Sequence, residues 1–199
     1  MGRSSHYFSP SPDAASRPST VRLDLPDLSL VLRTDRGVFS GARIDPGTKY
    51  LLTDAPAPPI EGHLADIGCG YGPIALTLAT RSPGATVWAV DVNDRALELT
   101  RANAAAAGLA NVRVATPDEV PGGVRFASLW SNPPVRVGKA ALHDLLDRWL
   151  GRLEEDGTAI LVVQKNLGAD SLHRWLVSRD WSVTRLGSRV GYRLLEVER

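Results

Sequence analysis

From Leu64 onward, short apolar runs alternate with segments of helical spacing, and this alternation limits the fold more than any other feature of the chain. "HLADIG", "ATVWAVD", "NVRVA", "VRFASLWS" and "GTAILVVQ" each read as a buried strand. "GPIALTLATR", "NDRALELTRANAAAAG", "KAALHDLLDRWLGRL" and "DSLHRWLVSR" carry apolar residues at helical intervals. Strands alternating with helices predict βαβ units and a mainly parallel sheet covered on both faces. Asn93 or Asp94 is expected to cap the second helix and Gly108 to stop it. "WSVTRLGSRVGYRLLEVE" reads as a closing hairpin that adds an antiparallel edge. The expected fold is therefore an α/β open sheet of seven strands.

Upstream, "TVRLDL" and "LSLVLRTD" alternate apolar and polar residues around Pro26-Asp27 and predict a β-hairpin. A loop then leads to a short helix near Thr48, and "APAPP" (55–59) reads as a linker. Residues 1–19 are rich in Ser, Pro and Ala, which predicts a poorly ordered tail. The organisation expected is a tail over 1–19, a hairpin-and-loop extension over 20–59 and an α/β domain over 60–199.

Composition excludes some classes. No apolar run approaches the roughly 20 residues that span a bilayer. The N-terminal stretch lacks the apolar segment of a secretory signal, and His6 breaks the myristoylation pattern. Cys69 is the only cysteine, so no intrachain disulfide forms, which fits a reducing cytoplasm. His6, His63, His143 and His173 show no metal-ligand spacing, so no metal is expected. The net charge is +1, yet Lys165 to Arg193 holds six cations against two anions. On charge alone that basic end reads as a solvated face.

In an open α/β sheet, ligands bind beyond the carboxyl ends of the strands. Three features fall there. "DIGCGYG" ends a strand, places Gly68, Gly70 and Gly72 at alternate positions, and opens a helix. Glycines permit a tight turn and a close approach of backbone to ligand. Asp91 ends the next strand, 19 residues after Gly72, where a carboxylate can accept both hydroxyls of a ribose. Asp118 follows "NVRVA"; it reads equally as an acceptor for an adenine amine and as a turn residue after Pro117. Cys69, inside the glycine loop, reads as a small buried thiol rather than a nucleophile.

The third strand end is "SNPPVRVGK". Taken alone, this stretch reads equally as a turn that ends a strand and as a ligand-facing loop. In the second reading the side-chain oxygen of Asn132 is one hydrogen-bond acceptor and the Pro133 carbonyl a second. Pro133 and Pro134 hold the loop rigid, so the orientation is preset.

"LADIGCGYGPIAL", Asp91 and "SNPPVRVGK" resemble class I S-adenosylmethionine-dependent methyltransferases. More narrowly they resemble the methyltransferase small domain of ribosomal RNA guanine-N2 methyltransferases. "HYFS", "TDRGVFSGARIDPGTKYLL" (34–52) and "NPPVRVGK" recur there in the same order, and the resemblance covers about residues 20–199. It implies a Rossmann-like fold, S-adenosylmethionine as cofactor, and ribosomal RNA or the small ribosomal subunit as partner, in the cytoplasm. It implies that Gly68, Gly70 and Gly72 line the methionine moiety, with Asp66 near its amino group. Asp91 would hold the ribose, Asp118 the adenine, and Asn132 and Pro133 the target amine. Ser40 and Thr48 would close the donor site; turn bonding and helix capping explain them equally.

Two departures from the family pattern bear on substrate. Val135 stands where many amino-methyltransferases carry an aromatic, so a π-face must come from Phe39 or Tyr71, if these are not core residues. The bacterial ribosomal enzyme also has an additional N-terminal domain, whereas this chain has a short extension. Arg136 and Lys139 flank the loop, either as phosphate contacts or as solvated charges at a helix start. The rival acceptors are a protein glutamine amide or an adenine amine, both disfavoured by Val135. A silent S-adenosylmethionine- or RNA-binding module is the rival class. Oligomeric state is left open.

Overall fold

The computed structural model describes residues 15–199; the expected tail lies outside them except for its last five residues. β1 (Ser19–Asp24) and β2 (Ser29–Thr34) pair antiparallel as a separate two-stranded sheet. α1 (Pro46–Asp54) follows, then β3 (Glu61–Ile67), α2 (Pro73–Arg81), β4 (Gly84–Val90), α3 (Asp94–Ala106) and β5 (Val112–Ala115). β6 (Phe126–Ser131), α4 (Lys139–Leu150), β7 (Leu153–Gln164), α5 (Ala169–Val177), β8 (Ser182–Arg189) and β9 (Tyr192–Glu198) complete the chain.

The main sheet has seven strands in the order β5-β4-β3-β6-β7-β9-β8. The first five run parallel, and β9 joins β7 antiparallel with β8 outside it. The order reverses beside β3, so β3 and β6 lie side by side at the centre with their carboxyl ends free. That is where an open sheet forms its crevice. β7 begins four residues before the expected "GTAILVVQ", because Leu153 pairs with Phe126 before a register shift.

Alternation sorts the strand residues onto two faces. Leu64, Trp130, Ile160, Val162 and Leu194 pack on one face. Ala65, Leu129, Leu161, Val163 and Leu195 pack on the other with Leu146 and Trp149 of α4 and Leu172 and Leu176 of α5. The first face also receives Leu51 and Leu52 of α1, Leu76 and Leu78 of α2, and Leu23 and Leu32 of the hairpin.

Polar contacts dock the hairpin. Asn103 of α3 accepts from Arg33 N at 2.7 Å and donates to the Arg33 carbonyl at 2.9 Å, so one amide adds a two-bond rung to β2. The Arg81 guanidinium donates both arms to Asp27 at 2.8 and 2.9 Å, clamping the hairpin tip to α2. The hairpin thereby covers α3 and carries the following loop to the sheet's carboxyl edge.

Candidate active site

A cavity of about 260 Å³ opens at the carboxyl ends of β3, β4, β6 and β7. Gly68 and Gly70 form one wall, Asp91 and Asn93 a second, and Asn132, Pro133, Pro134 and Val135 a third. Val38, Phe39 and Asp45 come from the loop before α1, Gln164 and Leu167 from the end of β7, and Tyr192 from the start of β9. Antiparallel β9 begins at the edge where the parallel strands end, which is why Tyr192 reaches the cavity.

The three glycines divide into two roles. Gly68 and Gly70 have φ of +78° and +57°, and a Cβ on either would meet none of the described residues within 4 Å. They give the cavity a bare backbone edge. Gly72 has φ +93°, caps α2, and is packed: a Cβ there would lie 2.8 Å from Leu76 Cδ1 and 3.0 Å from Thr100 Cγ2. It serves helix packing and does not face the cavity, unlike the expectation for it.

Asp91 is held between this loop and α3. Its Oδ2 accepts from Gly70 N at 2.9 Å and its Oδ1 from Asn93 N at 3.0 Å. Burial outweighs these bonds and raises its pKa above the ordinary carboxylate value. Asn93 is the cap of α3, accepting from Ala96 N at 3.2 Å, and its amide donates to the Gly37 carbonyl at 2.9 Å. It thus ties the 36–45 loop to the floor of the site.

Asp66 lies fully buried beneath the glycine turn. Its Oδ2 accepts from Ala75 N at 2.9 Å, while Oδ1 has no partner among the described residues. Burial raises its pKa to about 8. Burial likewise pushes the Cys69 thiol up, away from a reactive thiolate.

The Asn132 amide is locked. Its Nδ2 donates to Asp45 Oδ2 at 2.9 Å and to Thr48 Oγ1 at 3.0 Å. A carboxylate accepts only, so this contact fixes which end of the amide is nitrogen. Both amide hydrogens are used, and Oδ1 remains as an acceptor on the cavity side. Asp45 Oδ2 also accepts from Thr48 N at 3.0 Å as the cap of α1, and the Tyr192 hydroxyl reaches Asp45 Oδ1 at 3.5 Å. Next in the chain, Val135 N donates to the Pro133 carbonyl at 2.8 Å, and Pro134 has φ −75° and ψ 72°. This is an inverse γ-turn, whose φ proline already favours. One lone pair of the Pro133 carbonyl closes the turn and the second has no partner among the described residues, so the turn also fixes that oxygen's direction.

Other expected residues fall elsewhere. Asp118 is a correction: its side chain is 91% exposed and pairs with Arg148 of α4 at 2.8 Å, off the cavity wall. The Pro117-Asp118 turn is drawn outward by that guanidinium, which also donates to the Pro117 carbonyl. Thr48 stands behind Asn132 rather than on the wall. The Ser40 hydroxyl donates to the Arg43 carbonyl at 2.7 Å and closes its own turn. Tyr71 is buried in the core, whereas Phe39 lines the cavity. Lys139 is exposed at the start of α4, and the Arg136 side chain lies outside the described residues. Asp45 was legible as a helix cap before Pro46; Gln164 and Tyr192 carried no local signal. Among the described residues, no three acidic, histidine or cysteine side chains group to hold a metal, and no helix is long and apolar enough to cross a membrane.

The donor set suits S-adenosylmethionine. The bare glycine edge admits a close chain and the Asp91 carboxyl suits a diol, while Asp66 lies beneath the glycine turn rather than on the cavity wall. A sheet of this order with these groups at its centre is the architecture of Rossmann-like S-adenosylmethionine-dependent methyltransferases, and the chain is an enzyme of that class. The sequence model of the methyltransferase small domain matches residues 29–195. A Bacillus subtilis protein named only as uncharacterized YbxB is 34% identical over 199 residues, covering 98% of this chain and 99% of that one. Ribosomal RNA small subunit methyltransferase C of Aeromonas hydrophila is 34% identical over 142 residues, covering 68% of this chain and 40% of that enzyme. Among solved structures, the T. thermophilus 16S rRNA N2 G1207 methyltransferase RsmC, in complex with AdoMet and guanosine, superposes with a TM-score of 0.77. It is 22% identical, and the match covers 94% of this chain and 52% of that one. The chain belongs to the methyltransferase small domain family, and spans about half the length of these two RNA methyltransferases or less.

Proposed function

We propose that this enzyme methylates the exocyclic N2 amine of a guanine in small-subunit ribosomal RNA, in the cytoplasm. The observation that carries the reading is the locked Asn132 amide, which presents Oδ1 to the cavity beside the Pro133 carbonyl. Two preset acceptors fit an NH2 group, taking one hydrogen each and directing the nitrogen lone pair away from both. S-adenosylmethionine, when bound, supplies an electrophilic methyl group. Gly68 and Gly70 would line its methionine portion, Asp66 would lie near its ammonium, and Asp91 would take its ribose hydroxyls. Phe39 and Val135 would bound the target base. No side chain need act as a strong base, because an amine that gains a methyl group becomes acidic and releases its proton readily.

The relatives named for small-subunit RNA methylation support RNA as the acceptor. Val135, in place of an aromatic after the two prolines, disfavours the protein-glutamine and adenine readings. The test is transfer of labelled methyl from S-adenosylmethionine to unmodified small ribosomal subunits and to their extracted RNA. Label in RNA, located on guanine N2 and lost in Asn132→Ala, is expected. Label in protein, or in RNA at another atom, overturns the reading.

A further inference from the structure

We propose that the tip of the β8–β9 hairpin is a contact surface for the RNA segment flanking the target nucleotide. The proposal rests on the RNA reading above. Arg189 pairs with Tyr192 across the hairpin, leaving Val190 and Gly191 as a two-residue turn. Their φ values are +51° and +82°. Positive φ at both central positions is the type I′ arrangement, for which Asn-Gly or Asp-Gly is the usual choice. A β-branched residue in the left-handed region is sterically strained, and only packing repays such strain within a fold. Val190 obtains no such packing, being 68% exposed. The folded chain alone thus gains nothing from a valine at this turn.

The tip's position suggests the occupant. Tyr192, the next residue after the turn, lines the cavity. The Gly191 carbonyl accepts from Lys165 N at 2.8 Å, which seats the turn beside the segment carrying Leu167. Leu167 lines the cavity while staying 40% exposed. An apolar rim, Leu167 and Val190, therefore continues from the cavity onto the tip. Cations accompany it: Lys165 is exposed, and Arg189 is 65% exposed and pairs with Asp54 at 3.6 Å. Aliphatic surface on which base faces can pack, beside cations for phosphates, suits a single strand. A target base in the cavity has its neighbours beside the mouth, and this surface is one side of that mouth.

Val190→Asn tests the proposal, because it relieves strain and removes the contact together. Tm should rise on the order of 3 °C, as relief at one left-handed position implies for a chain of this size. The KM for extracted, unmodified small-subunit RNA should rise about 5-fold to 10-fold through lost apolar contact. Affinity for S-adenosylmethionine, measured by calorimetry, should be unchanged. Val190→Gly, which tolerates the same φ and carries no side chain, should raise the RNA KM equally and guards against new bonds from Asn. Arg189→Ala should reduce the salt dependence of RNA binding by about 0.7 in the log–log slope, one phosphate contact to a single strand. An RNA KM unchanged in both Val190 variants overturns the proposal while leaving the function standing. A KM raised for assembled subunits but not for extracted RNA overturns it too, placing a ribosomal protein at the tip. Wild-type enzyme that transfers no methyl to RNA defeats the function itself, a result distinct from either.

Discussion

Replacing Asp45 by alanine removes three things at once: the cap on α1, the acceptor for the Asn132 amide, and the partner of the Tyr192 hydroxyl. A lost cap costs about 1 kcal/mol. A lost bond to an ionised acceptor costs about 2 kcal/mol. The sum of about 3 kcal/mol corresponds, for a chain of this length, to a fall of about 6–12 °C in Tm. The catalytic effect is separate. With Asp45 gone, the Asn132 amide turns freely and presents NH2 to the cavity as readily as its oxygen. A donor facing the amine's own hydrogens repels the substrate from its reactive pose, so kcat should fall about 10-fold to 100-fold. S-adenosylmethionine affinity should hold, because the donor-facing glycines and Asp91 do not touch Asp45. Asp45→Asn keeps an oxygen where Oδ2 stands and should restore most of kcat. The assay is steady-state methyl transfer with calorimetric donor binding, run alongside Asn132→Ala and the double variant. If Asp45 acts through Asn132, the double variant is no slower than Asn132→Ala alone. A wild-type kcat in Asp45→Ala, or losses that multiply in the double variant, would refute the reasoning.

The other buried acid gives a pH prediction. Asp66 titrates at about 8 in the fold against 3.8 ordinarily, so the folded chain holds a proton that the unfolded chain has released across that window. The Asp66 contribution to stability should therefore be full below about pH 4 and be lost as pH rises towards 8, and Asp66→Asn should flatten that part of the Tm profile. Gly72→Ala places a Cβ 2.8 Å from Leu76 Cδ1 at positive φ and should lower Tm by several degrees, on the order of 2 kcal/mol of strain. Gly70→Ala meets no such neighbour and carries only the strain of its φ of +57°; it should also weaken S-adenosylmethionine binding, seen by calorimetry. Asp118→Ala, at an exposed ion pair with Arg148, should change neither donor affinity nor Tm by more than a degree or two; a tenfold loss of donor affinity would return Asp118 to the site.

The sequence determined the order of strands and helices from β3 to β9, because periodicity and caps act between residues a few positions apart. Asp91 and Asn132 were legible for the same reason: each directly follows an apolar run, and a strand's carboxyl end is the open sheet's binding edge. "GTAILVVQ" gave β7 from Gly157 to its end at Gln164, while the strand's start joined the sheet through the pairing of Leu153 with Phe126. Tertiary structure alone decided which groups meet. Asp45 and Asn132 are 87 residues apart, and neither local pattern names the other. Asp45 and Tyr192 are separated by 147 residues and come together because an antiparallel strand begins where the parallel ones end. The same distinction separates Gly72 from Gly68 and Gly70, identical in the motif yet packed against Thr100 in one case and open in the others. Asp118 was misplaced for this reason too: its loop position was legible, but Arg148 of a later helix turns it outward. Backbone conformation is set largely by neighbours along the chain, whereas a side chain's partner is set by whichever elements the whole core brings against it.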